Sequence, residues 1–598
     1  MPDAPRRAWR GGRRARMTMA GDTARATRGP GAQLLALWRS LRASAARRRI
    51  VWTASGILFT IGANAIGQIR LNAWQGDFYD ALEGRKLDEF LHQSLVFVGI
   101  VAVLLTLVVS QTWLTESLKL RLRDWLTGDL LDRWLAPGRA YRLRLSGEIG
   151  RNPDQRLHAD AQHLTQLTAG LGIGLVQSSL LLVSFVGVLW TLSANVTFHL
   201  GDRSFGIPGY MVWCALGYSL AGSLLAWAVG RPLVRIDETL YASEADLRYG
   251  LVHVSESSEG VALYRGEADE RARLGLRLAT VIDVMRQRAW GLAQLTWVTS
   301  GYGWLAIVVP VLVAAPGYFM GDISFGTLMM VVGAFNQVQS SLRWFVDNVA
   351  TIADWRATLL RVMALRDALE TIDETGSDGD GRPRIRFTRN DRPVLELVGL
   401  SVALREDDVR IAEGDLRLER GERLLVLGGP EVGKSTLFRA IAGVWPWGEG
   451  EIRLPEPDGM LFLPNKPYLP PGPLRAALAY PAPADSIEDA RARGALESVG
   501  LGHRAEDLDE KERWESELGL DEQQRIAFAR ALLLRPAWLF LDDAGSALGS
   551  RQRRALIETL TRDRPDMSII AFRRDDDSVD ATLFPRKVHV VRDEAESA

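Results

Sequence analysis

One segment of the sequence has the composition of a loop that holds phosphate groups. The residues that follow the apolar run 423–427 are Gly428, Gly429, Pro430, Glu431, Val432, Gly433, Lys434, Ser435 and Thr436. An apolar strand, this glycine spacing and a following helix place backbone N–H groups around a β-phosphate. We expect Lys434 to neutralise phosphate oxygens and Ser435 to bind Mg²⁺. The segment therefore predicts a site for ATP with Mg²⁺.

A second strand-like run, 538–541, ends in two carboxylates, Asp542 and Asp543. Beside a phosphate-binding loop, the first aspartate is expected to complete the Mg²⁺ shell and the second to face the attacking water. The alternative interpretation is a strand that ends in an ordinary acidic turn. A helix is predicted from about residue 519 to Arg530, directly before this strand.

A folded domain must position these motifs, and changes in composition along the chain indicate the boundaries of that domain. An acidic, glycine-rich stretch at 372–393 is predicted to be a linker. The segment 394–590 is predicted to be an α/β nucleotide-binding domain, and 591–598 a short tail.

The chain before the linker is predicted to cross a membrane six times. Six runs contain no Asp, Glu, Lys or Arg: 50–69, 93–115, 161–201, 204–230, 289–321 and 323–342. Each reaches the ~20 residues that a helix needs to cross a ~30 Å hydrocarbon core. Buried helices of a large soluble protein rarely avoid charge for this long, so 50–371 is predicted to be a six-helix transmembrane domain. Apolar spacing in 118–135 and 236–265 indicates that helices continue beyond the membrane.

The overall composition excludes several classes of protein. The net charge is −1 from 72 Lys+Arg and 73 Asp+Glu, which argues against an overall basic nucleic-acid binder and an acidic disordered chain. The single cysteine, Cys214, excludes a disulfide scaffold and a cysteine-based zinc site.

Arginine placement predicts the orientation of the chain in the membrane. The tail 1–49 carries thirteen arginines and two acids, and the connections 116–160 and 231–288 are also basic. Connections 194–208 and 316–322 together contain one arginine, Arg203. By the positive-inside rule both termini are cytoplasmic in a plasma (inner) membrane. The tail is predicted to be a disordered, lipid-facing segment, with an RNA-binding arm as the less favoured alternative.

The layout resembles that of an ABC half-transporter. Short motifs narrow the resemblance to the SbmA/BacA-like family in its ATPase-fused form: 71–74 (LNAW), 125–127 (WLT), 152–156 (NPDQR), 230–233 (GRPL), 262–267 (ALYRGE) and 344–348 (WFVDN). This group is similar to the subfamily D transporters of fatty acyl compounds. The resemblance implies an ABC exporter type of membrane domain in a lipid bilayer. It also implies a homodimer, or a heterodimer with a related half-transporter, and a peptide, cofactor-like or acyl substrate, with no nucleic acid.

Three catalytic positions depart from the family pattern. Asn465 stands in place of a glutamine that would reach Mg²⁺ and the attacking water, and its side chain is one methylene shorter. Asp543 stands in place of the catalytic glutamate, and Arg574 occupies the position of the switch histidine. A displacement of ~1 Å in a reacting group can cost about 100-fold in rate.

The signature segment, LSLGEQQR in relatives, is also altered. Gly519 removes a hydroxyl that would donate to the γ-phosphate of the partner's nucleotide, and Asp521 places a carboxylate where that phosphate would approach. The aspartate of a later turn is replaced by Gly549, and no aromatic residue lies at 401–405 to stack on adenine. Together the substitutions predict retained ATP binding with slow or absent hydrolysis.

Three functions remain open from the sequence. The first is a transporter gated by nucleotide binding, and the second is a nucleotide-sensing regulatory membrane protein. The third is a transporter of the same fold driven by an ion gradient.

Overall fold

The chain forms two compact units. A computed structural model describes residues 30–145, 153–194, 198–200, 203–205, 207–374, 383–390, 392–404, 408–455, 459–573 and 583–593. The first unit ends at Thr371 and the second begins at Ile372, and the short stretch Ala140–Arg142 groups with the second. The first is helical apart from one hairpin, and the second combines strands and helices.

The first unit, named the membrane unit, is built from long helices. They are α1 Pro30–Ala43, α2 Arg47–Glu83, α3 Leu87–Trp134, α4 Arg139–Leu145, α5 Pro153–Ser193, α6 Tyr210–Glu256, α7 Ser258–Tyr264, α8 Glu267–Phe319, α9 Phe325–Asp347 and α10 Val349–Glu374. One turn of α5, Arg156–Asp160, is a π-helix. The hairpin pairs β1 Phe198–Leu200 with β2 Arg203–Phe205.

Five helices of this unit are long and apolar enough to cross a membrane. They are α2, α3, α5, α6 and α8, and each contains one of the uncharged runs in whole or in part. The sixth run lies in α9, a 23-residue helix whose Gly, Asn, Gln and Ser residues lower its hydropathy. Among the described residues, five helices therefore meet the length and composition needed to cross a membrane, and six spans stay a prediction.

Three of these helices continue well past their uncharged runs, as the helical spacing predicted. Helices α3, α6 and α8 contain 48, 47 and 53 residues. At 1.5 Å per residue they are about 70–80 Å long, which is more than twice the ~30 Å hydrocarbon core. The two stretches that showed helical spacing fall in the far parts of α3 and of α6 with α7.

Close packing of α2 against α9 depends on two glycines. A Cβ atom added to Gly326 would lie 2.1 Å from the Gly76 carbonyl oxygen, and one added to Gly76 would lie 2.4 Å from Met330 Sδ. Asp80 reinforces the contact, because its Oδ1 accepts from Gly326 N at 2.7 Å and its Oδ2 from Ser324 Oγ at 3.0 Å. The carboxylate thus satisfies free donors at the start of α9.

The second unit, named the α/β unit, surrounds a large sheet. Its strands are β3 Arg386–Arg389, β4 Val394–Ala403, β5 Asp408–Ile411, β6 Leu416–Glu419, β7 Arg423–Leu427, β8 Gly448–Leu454, β9 Met460–Leu463, β10 Gly472–Pro473, β11 Lys511–Glu512, β12 Trp538–Asp542, β13 Ser568–Arg573 and β14 Arg586–Asp593. Its α-helices are α11 Lys434–Ile441, α12 Leu474–Ala479, α13 Asp489–Ser498, α14 Trp514–Glu517, α15 Leu520–Leu534 and α16 Ser550–Asp563.

The order of strands brings the sequence motifs to one edge of the sheet. Strands follow the order β3-β8-β4-β5-β14-β7-β13-β12-β9, and β6 pairs with β4. Strands β14, β7, β13, β12 and β9 are parallel, with Leu425 and Leu541 both opposite Ala571. Their apolar side chains pack into cores on the two faces of the sheet. Parallel strands end at the same edge, so the residues after β7, β9, β12 and β13 converge.

Two segments differ from the sequence prediction. Part of the tail predicted to be disordered is helix α1, whose Leu41 is buried against Ile50 and Ile57, because its apolar residues recur at helical spacing. Part of the predicted linker 372–393 is strand β3, which pairs in parallel with β8. The pairing partner lies more than 60 residues away, so local composition did not indicate this strand.

We expect Gly326→Ala to destabilise the membrane unit. The new methyl group would overlap the Gly76 carbonyl, and overpacking of this kind costs about 1–3 kcal/mol. The thermal unfolding midpoint of the detergent-purified protein should therefore fall by several degrees. Gly62→Ala in α2 is the matched control, since an added Cβ there has nothing within 4 Å. Equal midpoints for the two variants would contradict the role of the close contact.

Candidate functional site

The predicted phosphate loop connects β7 to α11 at the centre of the sheet. Four of the five β7 residues are buried between β13 and β14, so the loop begins from a fixed point. Gly433 has φ +106°, and a Cβ there would lie 2.5 Å from Val409 Cγ2, so only glycine fits. Glu431 is also left-handed, with φ +61°. The loop 428–433 therefore curves tightly into the N-terminus of α11.

Lys434 points back across this loop. Its ammonium donates to the carbonyl oxygens of Gly428 and Gly429, both at 2.6 Å, and the residue is only 8% exposed. A buried ammonium must be hydrogen-bonded, and the loop carbonyls meet that need. The same charge lies where phosphate oxygens would approach the loop and the start of α11.

The residues predicted to bind Mg²⁺ are in contact. Ser435 Oγ donates to Asp542 Oδ1 at 3.0 Å, although 107 positions separate them in the chain. Burial raises the pKa of the Asp542 carboxyl; the Ser435 hydrogen bond opposes that rise and the charge of Asp543 adds to it. A hydroxyl and a carboxylate are hard oxygen ligands, so the pair fits Mg²⁺.

Gln524 joins two loops around this pair, a role that the sequence did not reveal. Its Nε2 donates to the Asn465 carbonyl at 2.8 Å and to Ser546 Oγ at 3.3 Å, and its Oε1 accepts from Ala547 N at 3.0 Å. The residue is 1% exposed. Asn465 itself is exposed and turns its Oδ1 toward Gln524 at 3.4 Å. The buried glutamine thus ties the segment after β9 to the turn after β12.

Asp543 occupies a strained position directly after β12. Its φ is +48°, and its backbone N donates to the Phe572 carbonyl at 3.2 Å. Ala544, the next residue, accepts from Arg573 Nη2 at 3.2 Å. Arg573 is 2% exposed. Sequence reasoning missed this residue, although a charged residue at the end of the apolar strand β13 could have indicated it. Arg574 lies outside the described residues.

The segment expected to be the signature, 518–525, leads into helix α15. Gly519 is the N-cap residue without a side-chain cap, and the first turn contains Asp521 and Glu522. A Cβ added to Gly519 would lie 2.8 Å from Asp521 Oδ1. Acidic side chains in a first turn interact favourably with the helix dipole, so this N-terminus already has an anionic partner. His503 Nε2 lies 3.5 Å from Glu522 Oε1.

Comparison with known proteins identifies the family. Residues 47–319 match the model of ABC transporter transmembrane region 2, and residues 412–546 match that of the ABC transporter ATP-binding domain. An uncharacterised ABC transporter ATP-binding protein of Synechocystis is 31% identical over 540 residues, covering 88% of this chain and 79% of the relative. The chain belongs to the ABC transporters. With one membrane region fused to one ATP-binding domain, this ABC transporter is a half-transporter.

Two further comparisons agree with this assignment. The inner membrane ABC transporter ATP-binding protein YddA of Escherichia coli is 28% identical over 84% of the half-transporter and 88% of its own length. A solved bacterial Atm1-family ABC exporter with ATP bound shares the fold, with a TM-score of 0.63 at 17% identity, covering 89% and 91% of the two chains. The expected exporter-type fold is therefore confirmed.

We expect Asp542→Asn to stabilise the nucleotide-free protein while removing its response to Mg²⁺. The pKa of Asp542 is raised in the folded protein. Ionisation of this carboxyl therefore destabilises the folded state at every pH above the ordinary carboxyl pKa, which is near 4. The neutral amide should raise the unfolding midpoint of the α/β unit at pH 7 by roughly 2–4 °C, the shift that ~1 kcal/mol gives. This gain should shrink as the pH approaches 4.

The half-buried neighbour Asp543 supplies the control. Asp543→Asn should change the midpoint less, and should retain the extra stabilisation that Mg²⁺ with ATP gives the wild type. A lowered midpoint for Asp542→Asn at pH 7 would contradict the burial argument.

Proposed function

We propose that this half-transporter acts as a homodimer whose transport cycle is gated by ATP binding, with hydrolysis slow or absent. One contrast carries the proposal. The loop and the Ser435–Asp542 pair that hold nucleotide and Mg²⁺ are intact, whereas the positions that would cleave the nucleotide are altered. A conformational change driven by binding alone needs only the first group.

Each side chain that would hold the nucleotide has a defined role. Lys434 exchanges two carbonyl oxygens for phosphate oxygens, which carry more negative charge and are stronger acceptors. Ser435 and Asp542 would hold Mg²⁺, which neutralises charge on the β- and γ-phosphates. The free N–H groups at the start of α11 complete the cradle.

The positions that would take part in hydrolysis lack several groups that the family pattern contains. Asp543 and Asn465 each have one methylene fewer than the glutamate and glutamine of relatives, so both fall short of an attacking water. Arg574 replaces a histidine that can exchange a proton near neutral pH, and an arginine cannot do so. In a homodimer both composite sites have the same substitutions.

The signature segment of α15 weakens closure of the dimer around nucleotide. In a homodimer each signature faces the nucleotide of the partner. The Asp521 carboxylate occupies the helix N-terminus that a γ-phosphate would otherwise approach, and the two anions repel each other. Gly519 offers no hydroxyl in compensation. A related half-transporter could supply an unaltered signature, so a heterodimer is the second possible assembly.

We propose further that the membrane unit crosses a plasma (inner) membrane six times, with both termini in the cytoplasm. The support is the excess of arginine before the first uncharged run and between alternate runs. YddA, which is similar over most of the chain, is named an inner membrane protein. The substrate class proposed is a peptide, a cofactor-like molecule or an acyl compound, as in the SbmA/BacA-like group.

The purified full-length protein should bind ATP but hydrolyse it slowly. Equilibrium binding of a fluorescent ATP analogue and release of phosphate should be measured on the same sample in lipid nanodiscs. Lys434→Ala should abolish binding, since it removes the buried cation of the loop. A wild-type turnover of about 10 per second, the median for enzymes, that disappears in Lys434→Ala would disprove impaired hydrolysis. Binding that survives Lys434→Ala would disprove the assigned nucleotide site.

Restoring the family residues should increase hydrolysis in a defined order. Gly519→Ser needs space that Asp521 occupies, so Gly519→Ser combined with Asp521→Gly should act more strongly than Gly519→Ser alone. Adding Asp543→Glu and Asn465→Gln should raise turnover by at least about tenfold more.

The charge of Asp521 can be tested separately against its neighbour. Asp521→Asn should tighten ATP-dependent association of the two α/β units, as followed by cross-linking or by energy transfer between labelled subunits. Glu522→Gln removes a charge from the same helical turn, from a residue near His503, and should change association less. Equal effects would show that the position of the carboxylate does not matter.

A further inference from the structure

The phosphate loop carries an acidic side chain at a position whose backbone suits glycine. Glu431 has φ +61°, in the left-handed region that residues with a side chain seldom adopt. Two positions later Gly433 has φ +106°. Left-handed residues in such a turn direct successive backbone N–H groups toward one point, which makes a concave site for an anion. The backbone at 431 therefore suits a phosphate, whereas the side chain on that backbone is itself an anion.

The carboxylate of Glu431 has no compensating partner. The residue is exposed, and within the described ranges its side chain makes no hydrogen bond or ion pair. Lys434, the lysine of the loop, donates to the carbonyl oxygens of Gly428 and Gly429 at 2.6 Å each. The negative charge of Glu431 is thus free to act on a ligand.

The other acids of the nucleotide site are placed differently. Asp542 accepts a hydrogen bond from Ser435 at 3.0 Å, and this pair suits Mg²⁺, whose charge would offset that of the carboxylate. Glu431 has no hydroxyl donor of this kind among the described residues. Its charge therefore opposes the phosphates that the loop backbone attracts.

We propose that Glu431 speeds the release of intact nucleotide from the phosphate loop, so that the transport cycle resets without hydrolysis. A cycle gated by ATP binding must lose its nucleotide before it can begin again, and slow cleavage leaves dissociation of ATP as the route. The Glu431 carboxylate destabilises the bound triphosphate and shortens its lifetime. The inference rests on the proposed function, because it explains how the nucleotide site assigned there is emptied.

Coulomb's law gives the size of the effect. For a carboxylate ~7 Å from a bound Mg–ATP complex of charge about −2 in water, the repulsion weakens binding about fivefold at an ionic strength of ~10 mM, where the Debye length is ~30 Å. At ~0.15 M, where the Debye length is ~8 Å, the same repulsion weakens binding about twofold. Most of this change should fall on the dissociation rate, because related complexes differ mainly in that rate.

Release of a fluorescent ATP analogue from the full-length protein in nanodiscs tests the proposal. The protein is loaded with the analogue and Mg²⁺, then mixed with excess unlabelled ATP, and the dissociation rate is read from the fluorescence. Glu431→Gln removes the charge, so it should slow release about fivefold at ~10 mM ionic strength and about twofold at ~0.15 M. A purely structural role for Glu431 would not produce this dependence on salt.

Glu449→Gln is the matched control. Glu449 is also an exposed acid of the α/β unit without an ion pair in the described ranges. It lies in β8, four strands from β7, which is about 19 Å across the sheet. The control variant should release the analogue at the wild-type rate.

Glu431→Gly separates the charge from the backbone conformation. It removes the carboxylate and also suits φ +61°, so it should slow release at least as much as Glu431→Gln. If Glu431→Gly slowed release and Glu431→Gln did not, backbone strain would control the rate and the proposal would be wrong. Equal release from the wild type and Glu431→Gln at both ionic strengths, or faster release from Glu431→Gln, would also overturn it.

The identity of the released nucleotide separates this inference from the proposed function. Wild-type protein loaded with unlabelled ATP should release mainly ATP, as measured by chromatography. Release mainly as ADP would overturn both slow hydrolysis and a reset by dissociation. Release as ATP at the same rate from the wild type and Glu431→Gln would overturn the role of Glu431 alone and leave the proposed function standing.

Discussion

The hydrogen bond from Ser435 to Asp542 depends on the pairing of three parallel strands. Strand β7 leads into the phosphate loop, β12 ends in the aspartate, and β13 lies between them with Ala571 opposite Leu425 and Leu541. If either register moved by one residue, the side chains would exchange faces and the two oxygens would separate. Close packing on both faces of these buried strands opposes such a shift, because side chains of different sizes would no longer fit the two apolar cores. The ability to hold nucleotide therefore depends on the packing of the sheet.

The residues proposed to depart from the family pattern lie around this centre. Gln524 still fastens the segment after β9 to the turn after β12, so the short side chain of Asn465 is held in a well-formed frame. Asp521 likewise suits the helix that it begins, because an acid in a first turn stabilises that helix. Under the proposed function, the cost of these residues falls on an incoming γ-phosphate and not on folding. The proposed loss of hydrolysis therefore leaves the fold of the ATP-binding domain unchanged.

A different constraint governs the membrane unit. Lipid offers no partner to backbone polar groups, so the spans are long helices, and their specificity comes from a few close contacts. Gly76 and Gly326 let two backbones approach, and Gly222 makes space for a tyrosine pair. Each contact is possible because glycine has no side chain. Glycine contributes little to hydropathy, so a hydropathy profile does not indicate these contacts.

Local spacing and continuous apolar length were enough to predict the domain order, the phosphate loop and five helices long enough to cross a membrane. The proposed departures from the family pattern at Asn465, Gly519, Asp521 and Asp543 also come from the sequence, since that pattern is compared position by position. Tertiary structure decided the contacts that join distant segments: Ser435 with Asp542, Gln524 with Asn465, β3 with β8 and Gly326 with Gly76. It also showed that Pro30–Ala43 is a helix packed on α2. Such contacts depend on strand order and on the distance between helices, and neither property is contained in any short stretch of the chain.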